Sequence, residues 1–153
     1  SGWINRPGVS CENTPKQGVW YRLNSSQPMD EDGSPVTIGV VGVCGSGKST
    51  LAAGLRRMGI EIRHIAQEHS YVPYMWQRIT NPDLLIFLDA SYPVTMQRRR
   101  LDWLPEEYQE QQHRLRHARE HAHFYLDTDP LSPEEVREQV LAFLRSRGVH
   151  WQE

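Results

Sequence analysis

Gly42-Val43-Cys44-Gly45-Ser46-Gly47-Lys48-Ser49-Thr50 is the stretch whose residue types and spacing are suited to chemistry. It fits G-x-x-x-x-G-K-[ST], the pattern of a phosphate-binding loop, at every position. The chemistry is anion recognition. Gly42, Gly45 and Gly47 allow positive φ and a close backbone approach to a polyphosphate. Successive amide N–H groups then converge at a helix N-terminus, where the helix dipole favours negative charge. Lys48 supplies the point charge for β- and γ-phosphates, and the Ser49 hydroxyl is a ligand for Mg²⁺. A glycine-rich turn that binds nothing has no use for Lys followed by Ser.

Other candidates are less specific. Glu68 could hold Mg²⁺ through water or orient an attacking group, and His69 could act as a base or touch an acceptor. Tyr71, Tyr74 and Trp76 could form a stacking wall, although aromatic residues serve cores more often. Asp89 reads equally as a helix cap and as an active-site acid. Arg98-Arg99-Arg100 is a solvated helix face or a set of phosphate contacts. His113, His117 and His121 have metal-ligand spacing, but no Cys or carboxylate cluster completes a site, so a solvent stripe is expected. No N-K-x-D element of the kind that selects guanine is present, which leaves adenine as the expected base.

The elements that must position these groups alternate between strand and helix. Val36 to Val41 is β-branched and precedes the loop, and Thr50 to Met58 follows as a helix with Leu51, Leu55 and Met58 on one face. Glu61 to Ala66 is a second strand. Leu84 to Leu88 is a continuous apolar run, suited to a strand buried on both faces and closed by Asp89. Pro93 opens a helix to about Leu101. A further helix runs from Pro105 to about Ala122 with Tyr108, Leu115, Ala118 and Ala122 inward. His123 to Leu126 is a fourth strand. Ser132, Pro133 and Glu135 spell the start of a last helix, with a capping box, that Gly148 stops. The pattern predicts an α/β/α fold with a small parallel sheet of about four strands, ordered second–first–third–fourth.

At 153 residues the chain has room for one domain. Residues 1 to about 35 lack sustained periodicity and read as an irregular extension, removable to about residue 28, with Val19 to Leu23 as its only apolar part; residues 36–153 read as the domain. A net charge of −2 shows no basic field for nucleic acid or an anionic membrane. No apolar run spans a bilayer and no signal peptide is evident, so a cytoplasmic protein is expected. Cys11 and Cys44 are the two cysteines, and a structural disulfide is not expected.

With the strands placed, the chain resembles small P-loop kinases of the nucleoside-monophosphate, shikimate and gluconate kinase group. The likeness rests on Gly42 to Thr50, on Leu84 to Ser91 with the helix ending in Arg98-Arg99-Arg100, and on Phe124 to Val136. It implies a P-loop NTPase fold, ATP and Mg²⁺ as ligands, and a small-molecule acceptor, with no membrane partner and a protein partner left open. It further implies that Arg98 to Arg100 lie near the adenine or the lid. Arg114, Arg116 or Arg119 would reach the phosphates, and the loop from Asp127 through Thr128 to Pro130 would border the base. The chain departs from the group in three ways. Gly59 leads straight into Glu61 with no acceptor-binding insertion; only Leu101 to Pro105 separates the lid helices; and no Asp ends the second strand, where Glu68 is the nearest acid. Lys48, Glu68, Arg98, Arg114 and Arg119 are thus the expected catalytic residues, with Arg99 and Thr128 beside the nucleotide. Gln67, Glu68, His69, Tyr71 and Tyr74 are placed to hold an acceptor. The alternative is an ATP-binding sensor with slow or no hydrolysis.

Overall fold

The computed structural model describes residues 27–99 and 102–151. Most of the expected extension, including Cys11 and the Val19–Leu23 stretch, lies outside these residues, as does Arg100. In chain order the elements are β1 (Ile38–Gly42), α1 (Lys48–Arg57), β2 (Arg63–His64), α2 (Met75–Ile79), β3 (Leu84–Asp89) and α3 (Tyr92–Arg99). They continue as α4 (Pro105–Arg114), α5 (Arg116–His121), β4 (Phe124–Asp127) and α6 (Pro133–Ser146). Among the described residues no helix is long and apolar enough to cross a membrane.

The four strands form one parallel sheet in the order β2-β1-β3-β4, as the pattern predicts. Period-two alternation sends Ile38, Val40, Ile86 and Leu88 to one face, against Leu51 and Leu55 of α1 and Val140 and Leu144 of α6. Val41, Leu85 and Phe87 go to the other, against Trp76 of α2 and Leu115 and Ala118 beyond α4. β1 and β3 are buried on both faces, hence their unbroken apolar runs. The capping box of α6 is present: Glu135 N–H donates to Ser132 Oγ at 3.1 Å and Ser132 N–H to Glu135 Oε1 at 2.8 Å.

Two expectations need correction. β2 pairs only through Arg63 and His64, because the chain turns into a 3₁₀ turn at Gln67–His69. The helix expected from Pro105 to Ala122 is interrupted at Leu115. There, Gln67 Nε2 takes the Arg114 carbonyl at 3.1 Å and Arg116 takes that of His113 at 2.7 Å, side chains intruding on the helical ladder. The described end of the expected extension is bonded to the domain. Met29 and His150 exchange backbone hydrogen bonds of 2.8 and 2.7 Å, and Val36 N–H bonds the Pro28 carbonyl, so residues 28–36 are tied to the domain.

Candidate functional site

The glycine loop joins β1 to α1 at the carboxyl end of the sheet, and two of its glycines are sterically required. A Cβ on Gly42 would lie 2.3 Å from the Leu88 carbonyl oxygen of the neighbouring strand. Gly47, the N-cap of α1, has φ of +102°, where a side chain is strained. The loop opens into a cavity of about 610 Å³ that is also lined by His64, Glu68, Arg98, Arg99 and Thr128. Leu131, Pro133 and Val136 form an apolar end to the same cavity. First-turn amides of α1 have no intrahelical acceptor, so they face this space as donors.

Lys48 is only 5% exposed and Glu68 only 3%. The ammonium donates to Gly42 O at 2.6 Å, Val43 O at 3.3 Å and Glu68 Oε2 at 3.0 Å, which engages all three of its protons. Glu68 Oε1 is buried without a hydrogen-bond partner among the described residues. Charges this deep persist only in pairs. Ser49 Oγ lies 3.3 Å from His64 Nε2. Burial first, and then the Lys48 charge, hold that imidazole below its usual range, so at neutral pH it is uncharged beside the hydroxyl.

Distant side chains hold the loop in shape. Arg98 donates to Gly45 O at 3.1 Å, Thr128 Oγ1 at 2.8 Å and Thr128 O at 2.6 Å. The buried Thr128 hydroxyl lies 3.0 Å from Ser46 O. On the loop's other flank, Gln111 accepts from Cys44 N–H at 2.9 Å, and its Nε2 reaches Cys44 Sγ at 3.3 Å. A second cavity, also about 610 Å³, opens on this flank, with Cys44 and Arg99 lining both. Its other walls include His69, Asp102, Glu106, Glu110 and Arg114.

The structure brings together Cys44 to Thr50, Glu68, Arg98, Arg99 and Thr128 at the first cavity, while Gly42 and Val43 offer their carbonyls to Lys48 behind it. Arg114 lines only the second, where it bonds Glu68 O at 3.2 Å, pairs with Glu110 and stacks on Tyr71. Arg119 lines neither. It donates to Asp89 Oδ2 at 2.9 Å and lies over Phe87 and Tyr125. Gln67 is committed to structure, bonding Val72 O, Arg114 O and Trp76 N–H. His117 accepts from the Trp76 indole at 3.1 Å and stacks on His121, so part of the expected solvent stripe packs on α2. The Gln111 clamp was not foreseen. Gln111 is three residues after Tyr108 and four before Leu115, so it shares their inward face, but spacing does not name its partner.

Asp89 is a structural hub rather than a helix cap. Tyr125 and Arg119 donate to Oδ2, and Gln112 and Ala90 N–H to Oδ1. Burial pushes its carboxyl up, but the bonds from Tyr125, Gln112 and Arg119 outweigh burial and leave it below the ordinary value. A carboxyl depressed on folding stabilises the fold fully above its unfolded pKa, about 3.9. That contribution disappears as pH falls through the lower folded value. Asp89→Asn should therefore lower stability by about 2 kcal/mol at pH 7. Melting curves of the two proteins from pH 7 downward should converge below about pH 4. A gap that stays constant into acid would refute the ionised hub.

No protein-family model matches the chain, and no curated protein matches it. Fold and geometry define a small α/β protein with a four-stranded, all-parallel sheet and flanking helices. A lysine-bearing glycine loop opens its first helix.

Proposed function

We propose that the chain is a small P-loop phosphotransferase that binds ATP with Mg²⁺ at Gly42–Thr50 and moves the γ-phosphoryl group to a small acceptor. The observation that carries this reading is the buried Lys48–Glu68 pair lining a nucleotide-sized cavity at the start of α1. The donor set suits the ligands: loop amides and Lys48 for phosphate, and for Mg²⁺ the Ser49 hydroxyl with Glu68 Oε1, which has no partner among the described residues. When bound, ATP supplies the transferred group and Mg²⁺ neutralises phosphate charge.

The residues then divide the work by position. Lys48 swings one donor from a loop carbonyl or Glu68 onto the β- and γ-oxygens. Glu68 would help hold the Mg²⁺ or would take the acceptor's proton. Arg99 stands where both cavities meet and can offset charge on the group in transit. Arg98, already engaged by Thr128 and Gly45, keeps the loop in its binding shape. The apolar end at Leu131 and Val136 suits an adenine ring. The second cavity suits the acceptor, which must come within about 3–3.5 Å of the γ-phosphorus in line with the leaving oxygen.

The test is a panel of small acceptors, namely sugars, polyols, sugar acids, nucleosides and nucleoside monophosphates. Each is incubated with ATP–Mg and the full chain while ADP release is followed. At least one should stimulate release tenfold or more and emerge phosphorylated. ATP binding without any acceptor-stimulated turnover would replace this reading by the nucleotide-dependent sensor.

A further inference from the structure

We propose that Cys44, Glu68 and His69 form a site for a borderline-soft divalent metal, zinc in the first instance, on the flank of the glycine loop. The site shares the Glu68 carboxylate with the Mg²⁺ position given to Ser49, and because it is read without nucleotide it stands whether or not the loop binds one. One ligand atom from each residue lies within 4.8 Å of the other two. Cys44 Sγ is 3.8 Å from His69 Nε2, which is 3.7 Å from Glu68 Oε2. Zinc bonds of about 2.0–2.3 Å at tetrahedral angles put donor atoms about 3.3–3.6 Å apart, so the two pairs through His69 need to contract by a few tenths of an ångström and the Cys44–Glu68 pair by up to about 1 Å.

A second observation points to a ligand independently. Glu68 is only 3% exposed, and among the described residues its Oε1, the oxygen that Lys48 does not bond, has no hydrogen-bond partner. A buried carboxylate oxygen left alone loses its hydration with nothing in return, a penalty that a cation removes. The sulfur is also pre-aimed, since Gln111 holds both Cys44 N–H and Sγ. Outer partners of this kind orient a metal ligand and raise affinity.

The donor types select the metal. Thiolate, imidazole and carboxylate favour Zn²⁺ over Mg²⁺ or Ca²⁺, which take oxygen alone. Three protein donors leave a fourth position for water or an incoming anion, the pattern of an exchangeable rather than a purely structural zinc. Glu68 also bonds Lys48, so a metal here draws on the same carboxylate that neutralises the loop's lysine.

The experiment titrates Co²⁺ and then Zn²⁺ into the full chain without nucleotide. Co²⁺ is the visible probe: thiolate ligation gives a sulfur-to-metal charge-transfer absorption, and intense d–d bands report a tetrahedral site. Wild type and Cys11→Ser should take up one ion with both signatures, and Zn²⁺ should bleach them. Cys44→Ser should lose the charge-transfer band. His69→Ala, at an exposed side chain whose removal leaves the core intact, should bind at least tenfold more weakly. Gln111→Leu should lose about 10–100-fold through misorientation of the sulfur. The site is overturned by a wild type with no charge-transfer band, by a band that survives Cys44→Ser and vanishes with Cys11→Ser, or by His69→Ala binding as tightly as wild type.

Discussion

Lys48→Ala is expected to weaken ATP–Mg binding by about a hundredfold or more. Hydrogen bonds to a charged group contribute about 1.5–3 kcal/mol each, and every 1.4 kcal/mol is tenfold in affinity. Two phosphate contacts from one ammonium therefore account for the loss. The same change has a second effect that must be separated from the first. Glu68 is left as an uncompensated buried charge, which destabilises by about 3–5 kcal/mol. The double variant Lys48→Ala/Glu68→Gln removes that charge and should regain much of the melting temperature while its ATP affinity stays low. Calorimetry on both folded variants is the measurement. Undiminished ATP affinity in either would end the phosphate-loop reading.

Glu68→Gln alone should bind ATP within a few-fold of wild type and turn over at least tenfold more slowly. A general base contributes about 10²–10⁴ in rate, and an amide can neither take a proton nor hold a metal-bound water as an anion does. Affinity is spared because the Gln carbonyl can still accept from Lys48, which keeps two backbone carbonyls besides. Glu68 is the right carboxylate to remove: one oxygen is held by Lys48 and the other has no partner among the described residues. Single-turnover rates with the best acceptor, beside binding isotherms, give the comparison. A mutant indifferent in rate would assign Glu68 to structure and favour the sensor.

How far the fold and site were legible depends on sequence distance. The strand order was readable because each strand carries its own apolar run and each crossover is a local helix. The Gly42–Thr50 loop was readable because its parts are contiguous. Glu68 was found from position alone, at a strand's end next to β1. The long-range parts were not readable. Gln111 reaches Cys44 across 67 positions, and no periodicity marks a glutamine as a clamp. Arg119 and Arg98 look alike in sequence, yet one serves Asp89 and the other the loop. The interruption at Leu115 has no Pro or Gly to announce it, since Gln67, far earlier in the chain, takes the Arg114 carbonyl. β2 was read too long because its apolar residues, Ile62 and Ile65, are buried without the full ladder.

The Thr128 contact to Ser46 spans 82 positions, and it sets when the loop can be finished during synthesis. A ribosome extending a chain by about 5–20 residues per second emits Ser46 about 4–16 seconds before Thr128. For that interval the glycine loop exists as chain but lacks Arg98's anchor on Thr128 and the β4 edge that carries it. The loop reaches its fixed shape only when the last strand docks, so on the phosphate-loop reading any ligand binding would wait for completion of the sheet.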